Sequence, residues 1–402
     1  MSKTMSRNKA LFIVVSFLLW FPHFLYVPIL SPYMGEIGTP YTFIGIVLGS
    51  YGITQLLFRL PIGIRSDMMK LRKPFIIAGM VMSLISCLIF ITMDGAGWLL
   101  LARSFAGLAA ASWVAFTVLY PIYFSKDKVH VAMGSISFVV VLAQFLGMSF
   151  SGYMVEMWGW KSPFWIGTIF SIIGLILSFF IYEPKDKEVS QPIQLKELAT
   201  VIREPNLLKV SFLSIIAHSV MFSTMFGFTS TFALQIGFNP SEITWIVFAF
   251  MIPHAFATLF MGNVLVPRIG EWPALKAAFF LTAIFTFMMP FAHNKILFLL
   301  IQAFAGFALG LVFPLLLSMS IQSISQEKRA TAMGAYQSIY AIGIFVGPFV
   351  TGIINSSFGL ESGFYFLGVV SLITTALIVI WGRQEIKRKN SMNNYKKRKV
   401  QS

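Results

Sequence analysis

The sequence predicts an all-α membrane protein of twelve transmembrane helices, built as two parallel six-helix repeats, and three observations predict it. Of 402 residues, 57% are hydrophobic and only 11% charged, against roughly 25% charged in an ordinary soluble domain. A water-facing surface cannot be made from so few charges. The apolar residues fall into runs of membrane-crossing length, and the second half of the chain repeats the first. The single cysteine, Cys87, lies in an apolar run with no second thiol for a disulfide or a thiolate metal site.

A membrane helix needs about 20 apolar residues, because roughly 30 Å of hydrocarbon is crossed at 1.5 Å per residue. Twelve such stretches run over 10–31, 41–64, 74–93, 97–123, 131–155 and 163–182, then 208–234, 243–265, 272–292, 296–320, 330–355 and 361–382. Connections such as Asp94-Gly95-Ala96 and His293-Asn294-Lys295 are so short that consecutive helices must be antiparallel neighbours. One loop is long. The expected domains are an amino-terminal bundle (1–182), a linker (183–207), a carboxy-terminal bundle (208–382) and a basic tail (383–402). In the linker, Ile193, Leu195, Leu198, Val201 and Ile202 alternate with charges, as in an amphipathic helix on the membrane surface. Lys3, Arg7 and Lys9 precede an apolar run too long for a secretion signal, with no small-residue cleavage site after it.

Charge placement sets the orientation. The net charge is +15, from 30 Lys and Arg and 15 Asp and Glu. With the amino terminus in the cytoplasm, 26 basic residues fall inside, Lys161 and Lys295 outside, and Arg59 and Arg103 within helices. This satisfies the positive-inside rule in every loop, so nucleic acid is not needed to explain the excess. The basic tail doubles as a contact for anionic lipid headgroups.

The halves match in order along the chain. Ala132-Met133-Gly134 recurs as Ala332-Met333-Gly334, Gly147 as Gly347 and Gly152 as Gly352, all at an offset of 200. Phe105-Ala106-Gly107 recurs as Phe304-Ala305-Gly306 at 199, and Val15-Ser16-Phe17-Leu18 with His23 as Val210-Ser211-Phe212-Leu213 with His218 at 195. The ordered series makes chance improbable. Six spans per half start both halves on the same side, which makes them parallel repeats that hold substrate between them near the midplane.

With this duplication and the loop Gly63-Ile64-Arg65-Ser66-Asp67-Met68-Met69-Lys70-Leu71-Arg72-Lys73, the chain resembles the major facilitator superfamily (MFS) over nearly its whole length. Gly63, Asp67, Arg72 and Lys73 fit the superfamily's loop pattern, while Met68 and Leu71 depart from it. Arg103 and Gly107 fit a helix-4 pattern. The glycine-rich helix-5 signature of exporters keeps Gly147 and Gly152 but has Met148 in place of proline, and its copy in helix 11, Gly343, Gly347-Pro348 and Gly352, is better preserved. The resemblance implies the MFS fold of secondary transporters, a helix-packing role for these glycines and the proline, and a latch at Asp67 favouring the outward-open state.

Ionisable groups inside the bilayer cost at least about 2.5–3.5 kcal/mol on insertion scales, so each needs a reason. All fifteen carboxylates fall in loops or at helix ends. Arg103 either snorkels outward towards Asp94 or faces the cavity to bind an anionic group, and Arg59 is expected to reach the cytoplasmic interface. The titratable groups left at depth are His23 and His218, at repeat-equivalent places, and His254 after Pro253. Imidazoles titrate in the range of a membrane pH difference, which makes them proton-coupling candidates, against the plainer reading of hydrogen-bonded helix contacts. Tyr26, Tyr51, Gln55, Trp113, Gln144, Phe222 and Tyr336 are expected to line the cavity, where aromatic faces with few polar groups suit organic solutes.

The expectation is a non-enzymatic secondary transporter of the drug/proton antiporter-like branch, working by alternating access in a bacterial cytoplasmic membrane with both termini inside. It is expected to be a monomer, to export small organic solutes or drugs against a proton or other ion gradient, and to need no cofactor or metal. The alternative is uptake or facilitated transport of an anionic or zwitterionic solute. A reading of a different class is a membrane receptor or scaffold. The topology has a direct check. With Cys87 replaced by Ser, a cysteine at Asn294 should react with an impermeant thiol reagent on intact cells, and one at Lys70 only after permeabilisation. The reverse pattern would overturn the orientation.

Overall fold

The computed structural model describes residues 3–125, 128–184, 203–324 and 329–401. Among them every regular element is helical, as lipid demands: with no water in the hydrocarbon, each backbone N–H and C=O must be paired within its own segment. The helices are α1 (Lys3–Glu36), α2 (Tyr41–Met68), α3 (Lys73–Thr92), α4 (Ala96–Tyr123), α5 (Val129–Trp158) and α6 (Ser162–Ser178) in the first half. In the second half they are α7 (Pro205–Gln235), α8 (Pro240–Phe260), α9 (Glu271–Phe291), α10 (Lys295–Gln322), α11 (Arg329–Phe358) and α12 (Leu360–Gln401). Eleven are long and apolar enough to cross a membrane, and α6 is a shorter apolar helix. Thr224–Phe228 of α7 is wound as a π-helix, and a second such stretch, Met261–Leu265, follows the end of α8. The linker helix expected around 193–202 lies outside the described residues.

The chain forms two compact units. The first, Met1–Phe248 with Ser320–Gly363, holds α1 to α7, the first turns of α8, and α11. The second, Ala249–Met319 with Phe364–Ser402, holds the rest of α8, α9 and most of α10 and α12. Within the second unit, Gly306 and Gly310 let α10 lie against the backbone of Phe250 and His254 in α8, and Gly368 does the same for α12 at Phe287 of α9.

In the first unit, α2 packs along α11 through a glycine stripe. Gly45, Gly49 and Gly52 recur at helical spacing on one face of α2, and a Cβ on any of them would run into α11: the Pro348 carbonyl, the Phe345 carbonyl at 2.7 Å, or the Ile344 Cβ at 2.7 Å. Gly352 meets the Tyr41 carbonyl of α2 at 2.5 Å in the same way. The motif glycines also sit at close approaches: Gly107 on Tyr51 and Thr54 of α2, Gly147 on α1, Gly152 on Pro240, and Gly343 and Gly347 on Ile215 and Ser219 of α7.

Polar contacts tie the same end of this unit. Ser31 Oγ meets Thr231 Oγ1 at 2.7 Å, the Thr42 N–H donates to Ser356 Oγ at 2.8 Å, Thr244 Oγ1 donates to the Ser149 carbonyl at 2.7 Å, and the Ser241 N–H donates to Glu156 at 2.9 Å. Thus α1, α2 and α5 of the first half are joined to α7, α11 and the start of α8 at the end that carries Glu36 and Phe358. Overpacking a close seam costs about 1–3 kcal/mol. Gly49→Leu should therefore open it, and spin labels at Ile37 and Phe358, both exposed, should report a longer distance. An unchanged distance distribution would contradict the seam's role.

Candidate functional site

A cavity of about 260 Å³ lies inside the first unit. Helical periodicity builds its walls: Trp20, His23, Phe24 and Val27 follow i, i+3, i+4, i+7 on α1, and Tyr51, Gln55 and Arg59 follow i, i+4, i+8 on α2. The same spacing puts His218, Phe222 and Phe226 on one face of α7, and Gln337, Tyr340 and Ile344 on one face of α11. Arg103 and Trp113 of α4 and Val140 of α5 complete the lining.

Two guanidinium groups face this space, and no carboxylate is among the described residues that line it. Arg103 is 2% exposed, with its Cζ 4.2 Å from the centre of the Tyr51 ring and 5.8 Å from that of Tyr26. Aromatic faces are negative and attract a cation, which offsets part of its desolvation. Its Nε and Nη1 carry no hydrogen bond. The snorkelling alternative is therefore excluded: Asp94 is paired instead with Lys161 at 2.8 Å, a carboxylate that holds this ammonium above its ordinary range.

Arg59 corrects an expectation. It does not reach the interface but is buried, its Nη2 donating to Gln55 Oε1 at 2.6 Å and its Nη1 to Gln337 Oε1 at 3.3 Å. The reason is helix length: α2 continues to Met68, which sets Arg59 more than two turns from the helix end.

His23 is 3% exposed, and both ring nitrogens face backbone carbonyls: Nδ1 to Leu19 at 2.6 Å, one turn back, and Nε2 to Ala106 of α4 at 3.1 Å. His218, its repeat-equivalent, makes the same one-turn contact to the Ser214 carbonyl at 2.8 Å. Its ring lies flat on Tyr340, 3.9 Å between centres and 3° between planes. Trp20 meets Trp113 edge to face at 5.3 Å beside His23.

Tyr51, Gln55, Trp113 and Phe222 stand in the wall where they were expected, and four other residues do not. Tyr26 lies one residue short of Val27, turned about 100° from the lining stripe, and packs on Phe90 and Phe164 behind Arg103. Gln144 is half-buried one turn beyond Val140, towards Gly147, where α5 lies against α1. Tyr336 is buried behind His218, its hydroxyl 2.8 Å from Ser214 Oγ. His254 belongs to the second unit, stacked on Phe250 at 5.6 Å. The residues that the sequence reading missed in the wall are Trp20, Phe24, Val27, Val140, Phe226, Gln337, Tyr340 and Ile344, with Arg59 misplaced. The period of four around His23, Tyr51 and His218 was the signal that would have found several of them.

At the opposite end from the glycine seam, the loop after α2 folds on itself. The Arg72 guanidinium donates to Asp67 Oδ1 and to the Ser66 carbonyl, while the N–H groups of Arg72 and Lys73 donate to the Glu183 carboxylate at 2.6 and 3.0 Å. A carboxylate thus caps the amino terminus of α3, where orphan N–H groups and the helix dipole favour negative charge. Gly63 sits in the turn before, near Val114 of α4. Asp67→Asn would leave the buried Arg72 charge without its partner, a loss of about 1–3 kcal/mol. Thermal unfolding of the purified protein should show a lower midpoint, and an unchanged one would mean that the pair is not stabilising.

The Major Facilitator Superfamily profile matches residues 12–239 and 210–400. Inner membrane transport protein YajR of Escherichia coli (strain K12) is 25% identical over 345 residues, covering 83% of this chain and 74% of that protein. Multidrug resistance protein 1 of Bacillus subtilis (strain 168) is 23% identical over 366 residues, covering 89% and 92%. Among solved structures, a bacterial homologue of the human lysosomal transporter Spinster, in an inward-facing and occupied conformation, superimposes with a TM-score of 0.81 at 14% identity, covering 95% of this chain and 98% of that one.

Proposed function

The chain belongs to the Major Facilitator Superfamily, and we propose that this transporter carries a small organic anion with an apolar or aromatic body, held in the cavity between Arg59 and Arg103. The observation that carries the reading is the pair of guanidiniums with no carboxylate among the described lining residues. A buried cation without a counter-ion is costly, and a substrate carboxylate or similar group would supply that counter-ion with charge-assisted hydrogen bonds. Aromatic walls from Trp20, Trp113, Phe24, Phe222 and Phe226 give the body of the solute its surface.

Transport follows from two closures. With the termini in the cytoplasm of a bacterial membrane, as the 26 inside and 2 outside basic residues direct, the glycine seam is the outer closure and the Asp67 loop lies on the inner side. In the structure Arg72 bonds Asp67, and the N–H groups of Arg72 and Lys73 bond Glu183 at the start of the linker. In the alternate state this loop would meet the second half while the α2–α11 seam parts, exposing the cavity outward.

A second reading is export of organic solutes in exchange for protons, favoured by the resemblance to a multidrug resistance protein. Liposomes holding the purified chain separate the two. 2-Naphthoate should be transported and its neutral amide should not, and Arg103→Gln or Arg59→Gln should raise KM about ten- to a hundredfold, the worth of a hydrogen bond to a charged group. Proton-driven export of a cationic dye, with no naphthoate flux, would favour the second reading instead.

A further inference from the structure

We propose that His23 binds a proton together with the anion in the Arg59–Arg103 cavity, so that the protein is a proton–anion symporter. The proposal rests on the organic-anion reading above and adds the coupling ion, its seat and the sign of the coupling.

The seat is geometric. A neutral imidazole has one N–H, so it satisfies one carbonyl and turns a lone pair on the other; an imidazolium donates from both nitrogens. His23 has carbonyl oxygens at both, Leu19 at 2.6 Å and Ala106 at 3.1 Å. Its hydrogen bonding is complete only when the ring carries the second proton. Opposing this are burial and the nearby Arg103 guanidinium, whose charge repels an imidazolium.

The surroundings decide what relieves that opposition. Facing the cavity with His23 are Arg103 of α4, Tyr51 and Arg59 of α2, His218 of α7 and Tyr340 of α11, with Tyr26 behind Arg103; α5 contributes Val140. None of these supplies a negative counter-charge at neutral pH. A substrate anion does. Seated on Arg103, it neutralises the repulsion and attracts the imidazolium. Binding free energies are reciprocal, so the proton must strengthen anion binding by the same factor. The two load together and cross together, the proton joining the ring from cavity water on one side and returning to water on the other. An exchanger needs the opposite sign, with each ligand expelling the other.

The test uses the full-length purified protein, 2-naphthoate and 2-naphthamide, and titration calorimetry in two buffers of different ionisation heat. About one proton should be taken up per naphthoate bound, and affinity should fall as pH rises from 5.5 to 7.5, approaching about tenfold per unit. His23→Gln, checked for a single monodisperse peak, should bind up to about a hundredfold more weakly at pH 5.5 and approach wild type at pH 7.5, with no proton uptake and a flat pH dependence. Naphthoate binding to wild type with no proton uptake, or with proton release, overturns the symport proposal and leaves the anion site standing; this arm needs no variant to fold. Equal binding of acid and amide, or binding of neither, overturns the anion reading and the symport proposal with it.

Discussion

The cost of holding a charge away from water governs this molecule. It keeps all fifteen carboxylates out of the interior of the apolar runs of the sequence, and the orientation that charge placement predicts puts 26 of 30 basic residues on one side. Against that background Arg59 and Arg103 are conspicuous, because neither has a carboxylate partner recorded in the described structure. What holds them are ring faces and amide oxygens, which are dipoles rather than charges. Such surroundings solvate a guanidinium in part and leave its field uncancelled, so the cavity keeps a positive potential, and the proposed recognition of an anion rests on it.

Backbone proximity is the other constraint. Where α2 meets α11, and α5 meets Pro240, glycines bring helices closer than side chains would permit. Without a hydrophobic force between helices in lipid, such contact is how they adhere.

The helices were legible in the sequence because membrane length and charge avoidance are one-dimensional signals. Their ends were less so: Arg59 was misjudged because polar residues near the inner end of α2 hide where the helix stops, and Met68 lies a turn beyond the apolar run. Among site residues, Tyr51, Gln55 and Trp113 could be placed from spacing and residue type, whereas Gln337 and Tyr340 could not, since nothing local says which face of α11 turns to α2. Tyr26 and Tyr336 show the limit in the other direction. A tyrosine next to a lining position reads the same in sequence whether it faces the cavity or braces it from behind.

The edge-to-face pair of Trp20 and Trp113 has a practical corollary. Both indoles stand in the cavity wall beside His23, and indole emission responds to the polarity and charge of its immediate neighbours. Two of the nine tryptophans thereby make the protein a native optical reporter of what occupies its own interior, with no dye or label attached.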